Sequence, residues 1–181
     1  GTIGTSHRFG GSRQGDSSGT STPVDLSGDI SASEFASMLS APVRELLLKS
    51  ISLNSTAFEG DVDGEQTFIG SKTETAMLIF ARAHLGMGPV SEERENAKVL
   101  QLIPFDSGRK CMGIVAQLPN GSARLYIKGA SEIILAKCSQ ILRDPAADDS
   151  LAPMSQDNID TINHLIESYA KRSLRTIGIC Y

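Results

Sequence analysis

The 181-residue chain carries 17 Lys and Arg against 21 Asp and Glu, a formal charge of −4, so the basic face of a nucleic-acid binder is not expected. Its length allows one compact domain plus a tail, large enough to fold without a disulfide or a structural metal. The longest apolar run is six residues (76–81) against the ~20 that cross a bilayer, and the opening residues do not read as a leader. Three cysteines, Cys111, Cys138 and Cys180, form an odd, scattered set without a C-x-x-C pair, which reads as a reducing compartment. A soluble, cytosolic, globular protein is the expectation.

Residues 1–28 include 17 Gly, Ser or Thr and little to bury, so they are expected to be a flexible arm or inserted loop, with the folded domain at 29–181. Phe35, Met38 and Leu39, then Leu46, Leu47 and Ile51, have helical spacing broken by Pro42, which predicts two short helices over 31–53. Residues 54–66 are polar and acidic and read as a loop. A helix over 72–85 presents Ala76, Met77, Phe80 and Ala83 on one face, and Gly86-Met87-Gly88-Pro89 ends it. The period then changes. An apolar run at 99–103 stops at Pro104, a strand follows at 112–118, Asn120-Gly121 reads as a type I′ turn, and 123–127 returns. With Asn120 and Gly121 as the two central turn residues, position 111 would face 130 and Lys110 would face Ser131; a bulge would shift this register by one and change which side chains share a face. A short helix at 131–138, an acidic loop at 144–153, an amphipathic helix at 155–172 and a β-rich run at 176–181 complete the chain. The fold class is α+β, an antiparallel sheet flanked by helices.

Gly70-Ser71-Lys72-Thr73 is not a P-loop, because Ser71 separates glycine from lysine and position 65 is Glu. Ser71-x-x-Glu74 is better read as a capping box. Pro104-Phe105-Asp106-Ser107-Gly108-Arg109-Lys110 sets an aromatic and two cations beside a turn. Its plain reading is a buried ring with solvated charges; its functional reading is an aromatic face for a base with cations for phosphates. Lys128-Gly129-Ala130 ends the returning strand, where the hairpin brings it near the 105–110 turn and small residues let a flat ring approach the backbone. Arg172 and Arg175 suit a helix C-terminus, a contribution of ~0.3–1 kcal/mol. His7, His84 and His164 share no metal-ligand spacing, and Asp148-Asp149 reads as a solvated loop.

Four pieces in order carry a resemblance: Lys72-Thr73-Glu74-Thr75-Ala76, Pro104-Phe105-x-Ser107-x-Arg109-Lys110, Lys128-Gly129-Ala130-Ser131-Glu132 and Leu174-Arg175-Thr176-Ile177. Together they resemble the nucleotide-binding (N) domain of P-type cation-transporting ATPases over residues 44–181. The Gly-Ala-Ser-Glu and Arg-Thr-Ile wording is most similar to plasma-membrane-type (type IIB) calcium pumps, vacuolar forms included. The resemblance implies that Phe105 stacks on adenine and Glu74 accepts from its exocyclic amine. It implies that Lys128, Gly129 and Ala130 line the pocket, that Met112 and Ile177 wall it, that Lys110 stands at the mouth, and that Arg175 reaches the ribose–phosphate. Many relatives have Arg where this chain has Ser107, which implies weaker binding.

The family's Asp-Lys-Thr-Gly-Thr motif and acidic magnesium motifs are absent from this sequence, so the resemblance implies a soluble, monomeric fragment. It would bind ATP as Mg-ATP without turnover, the magnesium site lying mainly elsewhere. In the parent, a membrane-embedded pump, it would stand on the cytosolic face of the vacuolar or plasma membrane. There it would work with the phosphorylation and actuator domains and deliver the γ-phosphate to an aspartate of the former. The alternative is an N-domain-like protein-interaction module with a degenerate nucleotide pocket. An independent ATPase is disfavoured, for want of a nucleophile–base pair and an acidic metal cluster.

Overall fold

Ser31 starts the first helix. Its hydroxyl accepts the Glu34 N–H (3.2 Å) while the Glu34 carboxylate accepts the Ser31 N–H (2.8 Å), a complete capping box for α1 (Ala32–Met38). Pro42 begins the second helix rather than merely breaking the first. It sits in the opening turn of α2 (Ala41–Ser52), where a missing N–H leaves no helical bond unmade. The computed structural model describes residues 30–148 and 150–181, so the arm expected at 1–28 lies outside the described residues.

The loop expected at 54–66 is instead largely a hairpin. β1 (Phe58–Val62) and β2 (Glu65–Ile69) pair antiparallel across Asp63 and Gly64, whose φ values of 56° and 86° make a two-residue turn. Of these two strands only Phe68 is buried, so the alternation that marks a half-buried strand is missing. α3 (Lys72–Phe80) continues into a π-helical turn (Ala81–Leu85) and ends at Gly86, as expected, but the stripe it buries is Glu74, Leu78, Ala81 and Leu85, while Ala76 and Ala83 of the expected face are exposed. A further short helix, α4 (Val90–Glu95), was not anticipated; it buries Val90.

The main sheet contains β3 (Lys98–Asp106), β4 (Cys111–Gln117), β5 (Ala123–Ala130) and β8 (Ile177–Cys180), antiparallel in the order β3-β4-β5-β8. Between β5 and β8 run α5 (Ser131–Leu135), β6 (Gln140–Leu142), β7 (Leu151–Pro153) and α6 (Gln156–Lys171). β6 and β7 form a small ribbon, so the loop expected at 144–153 ends in a strand. Pro104 does not stop β3. That strand is a sheet edge, where a residue without N–H is tolerated, and its register shifts between Ile103 and Asp106.

Asn120 and Gly121 are not the two central turn residues. Gly121 N–H donates to the Leu118 carbonyl (2.9 Å) and Leu118 N–H to the Ser122 carbonyl (2.7 Å). Pro119 and Asn120 therefore occupy the bend, with Gly121 at φ 85° as a bulge. The register moves by one: Cys111 faces Gly129 and Met112 faces Lys128. Lys110 does not pair with Ser131 in the sheet; its carbonyl accepts the Ala130 N–H (3.0 Å).

Two apolar clusters hold these parts together. Leu39, Val43, Ile51, Phe68, Leu78, Leu85 and Val90 join the helices to β2, while Leu53 packs on Ile114, Ala116 and Tyr126 of the sheet. Each such large side chain contributes ~1.5–3 kcal/mol by leaving water. Ile114, Ala116 and Tyr126 share a sheet face with Met112 and Lys128, because paired and alternate residues point the same way. Past the edge of the second cluster, that face opens into a cleft.

Candidate functional site

The cleft has a volume of about 830 Å³ and lies where the start of α3, the ends of β3 and β5, the start of β8 and the C-terminal part of α6 meet. All nine residues singled out in the sequence line it: Glu74, Phe105, Lys110, Met112, Lys128, Gly129, Ala130, Arg175 and Ile177. Ser107 is not among its lining residues.

Glu74 is in the first turn of α3, and only half of the expected capping box forms. Glu74 N–H donates to the Ser71 hydroxyl (3.3 Å), but its carboxylate turns inward instead of back to the Ser71 N–H. Oε1 accepts from Lys128 Nζ (2.8 Å) and Thr56 N–H (3.1 Å), and Oε2 accepts the Thr56 hydroxyl (2.9 Å). Glu74 and Lys128 are 7% and 6% exposed, so each would be costly to bury without the other. Three donors on a carboxylate with about four acceptor positions leave room for one more. Burial would raise the Glu74 carboxyl, but the Lys128 ammonium and the Thr56 donors outweigh it and hold it below the ordinary value of 4.5. Burial draws the Lys128 ammonium below its ordinary value against the opposing pull of Glu74.

Phe105, near the end of β3, is 62% exposed and opens on the same cleft. Its turn is braced from within. Arg109 N–H donates to Asp106 Oδ1 (2.8 Å) and its guanidinium to the Pro104 carbonyl (2.9 Å), so this cation serves the turn, and Lys110 lines the cleft instead. At Gly129, β5 lies tight against the end of that turn. A Cβ there would stand 2.5 Å from the Lys110 carbonyl oxygen and 2.6 Å from Cys111 Cβ. Across the mouth, Arg175 Nη1 is 3.4 Å from the Thr73 hydroxyl.

Sequence reasoning missed Thr56, Thr73, Met77, Ile166 and Leu174, which also line the cleft. Thr56 lies in the supposed loop, and nothing near it in the chain signals a partner 18 residues away. Met77 was assigned to an apolar helix face without a destination.

On the opposite sheet face lie Cys111 and Cys180, and the three scattered cysteines come together there. Burial first, then the neighbouring Cys138 and Cys111, push the Cys180 thiol up to about 11. All three are free. Among the described residues no group of three or more His, Cys, Asp or Glu is placed to hold a metal ion, and no helix is long and apolar enough to cross a membrane.

The family described as P-type ATPase, cytoplasmic domain N, matches residues 42–181. Calcium-transporting ATPase 10, plasma membrane-type, of Oryza sativa subsp. japonica is 39% identical over 152 residues, 83% of this chain and 14% of that protein. Calcium-transporting ATPase 2 of Cryptococcus neoformans var. grubii is 37% identical over 169 residues, 90% of this chain and 12% of that protein. Calcium-transporting ATPase 2 of Schizosaccharomyces pombe is 35% identical over 171 residues, again 90% of this chain and 13% of that protein. The chain thus spans 12–14% of the length of these curated relatives. On that match, and on an antiparallel sheet with flanking helices, the chain belongs to the cytoplasmic N domain family of P-type ATPases.

Proposed function

We propose that this chain is the adenine-nucleotide-binding domain of a calcium-transporting P-type ATPase. One observation carries the reading: an exposed aromatic ring at Phe105 and a buried, ionised carboxylate at Glu74 open on one cleft. The ring offers its face to a purine, and stacking of this kind contributes ~1–3 kcal/mol. The carboxylate accepts a hydrogen bond from the exocyclic amine of adenine; guanine presents a carbonyl there and would meet like with like. The backbone at Gly129 and the small Ala130 give the base a floor, and Met112 and Ile177 wall it. Lys110 and Arg175 at the mouth attract the phosphates, each adding ~1 kcal/mol or less while exposed. After association costs the net falls near the ~4 kcal/mol of millimolar binding, which suits a domain that releases product every cycle.

In the parent pump the domain holds Mg-ATP and carries its γ-phosphate to an aspartate of a separate phosphorylation domain, with the phosphorylation and actuator domains as its partners. The magnesium ion is held mainly outside this chain. Phosphoryl transfer is chiefly positioning and charge neutralisation, so a carrier of nucleotide contributes directly to catalysis. The names of the relatives support calcium as the transported ion, and the description of the family supports a cytoplasmic station, which on this reading is at the plasma or vacuolar membrane.

An NMR titration tests this. ATP is expected to shift Glu74, Phe105, Lys128 and Arg175, and GTP to do so far more weakly. Equal responses, or none at about 10 mM nucleotide, a tenfold excess over a millimolar constant, would sink the reading and favour the interaction module.

A further inference from the structure

Three backbone carbonyls converge on one guanidinium behind the cleft. Arg94, in the last turn of α4, donates from Nε to the Ser52 carbonyl (3.1 Å) and from Nη2 to the carbonyls of Ser55 (2.8 Å) and Ala57 (2.8 Å). Those carbonyls bracket Thr56, the residue whose N–H and hydroxyl hold both oxygens of Glu74. The segment joins the end of α2 to the start of β1, without a ladder of its own. On its other side, Asn54 Nδ2 donates to the Tyr126 carbonyl of β5 (3.3 Å). Two side chains therefore pin the loop, one toward the sheet and one toward α4.

Arg94 is not a lining residue of the cleft, yet its charge is felt there. Glu74 favours the charged form of Arg94 against burial, and Arg94 in turn disfavours the charged form of Lys128. A lysine could not replace it, because one ammonium lacks the planar fork that spreads over three carbonyls.

We propose that Arg94 is a positioning residue for base selection: its fork fixes the loop at 52–57, and through Thr56 it aims the ionised Glu74 carboxylate at the amino edge of the purine. This rests on the adenine reading of the cleft. Removing the fork frees Thr56 and lets the carboxylate follow Lys128 alone, so the loss falls on the nucleotide whose edge Glu74 reads.

The test uses the 181-residue chain with Arg94→Gln and Arg94→Lys, ATP and GTP titrations, and carboxyl-carbon NMR of Glu74 in the absence of nucleotide. Arg94→Gln is expected to weaken ATP about three- to tenfold, the loss of about one hydrogen bond, and GTP by no more than about twofold. The Glu74 carboxyl is expected to titrate at higher pH than in the wild type, because a nearby positive charge has gone. Equal loss of both nucleotides with an unmoved Glu74 titration is the signature of a merely structural arginine and overturns the proposal. Should Arg94→Gln not fold, Arg94→Lys decides: it keeps the charge without the fork, so ATP weakens while Glu74 titrates near its wild-type position, and unchanged ATP affinity overturns the proposal. If the wild type takes up neither nucleotide, the adenine reading fails, whereas the nucleotide-free titration still judges whether Arg94 governs Glu74.

Discussion

Phe105 and Lys128 line the same cleft, yet opposite consequences follow from removing them. The Phe105 ring is 62% exposed, so Phe105→Ala is expected to change stability by no more than about 0.5 kcal/mol. On the proposed reading it should nonetheless cost ATP affinity about tenfold, the lower part of the stacking range, measured by calorimetry or NMR titration. Lys128→Met leaves the Glu74 carboxylate buried without its ammonium, and a loss of ~3–5 kcal/mol is expected by urea denaturation, with partial recovery in Glu74→Gln/Lys128→Met. The sign of the pH effect follows from the same carboxyl. Its folded value lies below 4.5, so its stabilising contribution is complete above the ordinary value and is lost as pH falls through the folded one. Glu74→Gln should flatten that acid limb. The role of Glu74 was only half visible in the chain: Ser71-x-x-Glu74 displays a cap, while the partner that turns the carboxylate inward lies 54 residues away.

At the scale of elements, the close approach of β5 at Gly129 to Lys110 and Cys111 fixes the backbone that lines the cleft there. The atoms that a Cβ at Gly129 would strike are mainly backbone, which cannot swing aside. Gly129→Ala is therefore expected to destabilise the fold by about 1–3 kcal/mol, read as a lowered urea midpoint, and to weaken ATP binding as the floor shifts. The helices, the sheet class and the β4–β5 hairpin were legible from the spacing of their apolar residues and their turn and cap signals, even though α6 buries no side chain fully and α3 buries a different stripe from the one its spacing suggests. The hairpin's register was not, since Pro119-Asn120 and Asn120-Gly121 are both good turn pairs and only the returning strand chooses between them. β1 and β2 were illegible for another reason. Phe68 is their one anchor in the core, and the remaining contacts are the Asp63-Gly64 turn and Arg82, which stacks over Phe68 (4.1 Å) and pairs with Glu59, so no apolar alternation marks the strands in the sequence.

For the whole molecule, the cleft is assembled from segments that meet only when the chain is folded: Thr56, Glu74, Phe105, Lys128 and Arg175 come from five separate stretches. Local patterns could nominate these residues one by one but could not supply Thr56 or Arg94, whose roles are long-range hydrogen bonds. A ligand of such a cleft binds the folded chain alone and stabilises it by mass action. ATP at ten times its dissociation constant is expected to contribute ~1.4 kcal/mol and raise Tm by about 3–5 °C, with GTP giving far less.

β3 bounds the sheet, and Val99, Leu100 and Leu102 on it are exposed. A flat greasy rim of this kind invites stray strands to add on and seed aggregates. Two register shifts interrupt it, and Pro104, within the second of them, has no N–H to offer a ladder. The proline that reads in the chain as the end of a strand thus works against edge-to-edge addition, one residue before the exposed ring of Phe105.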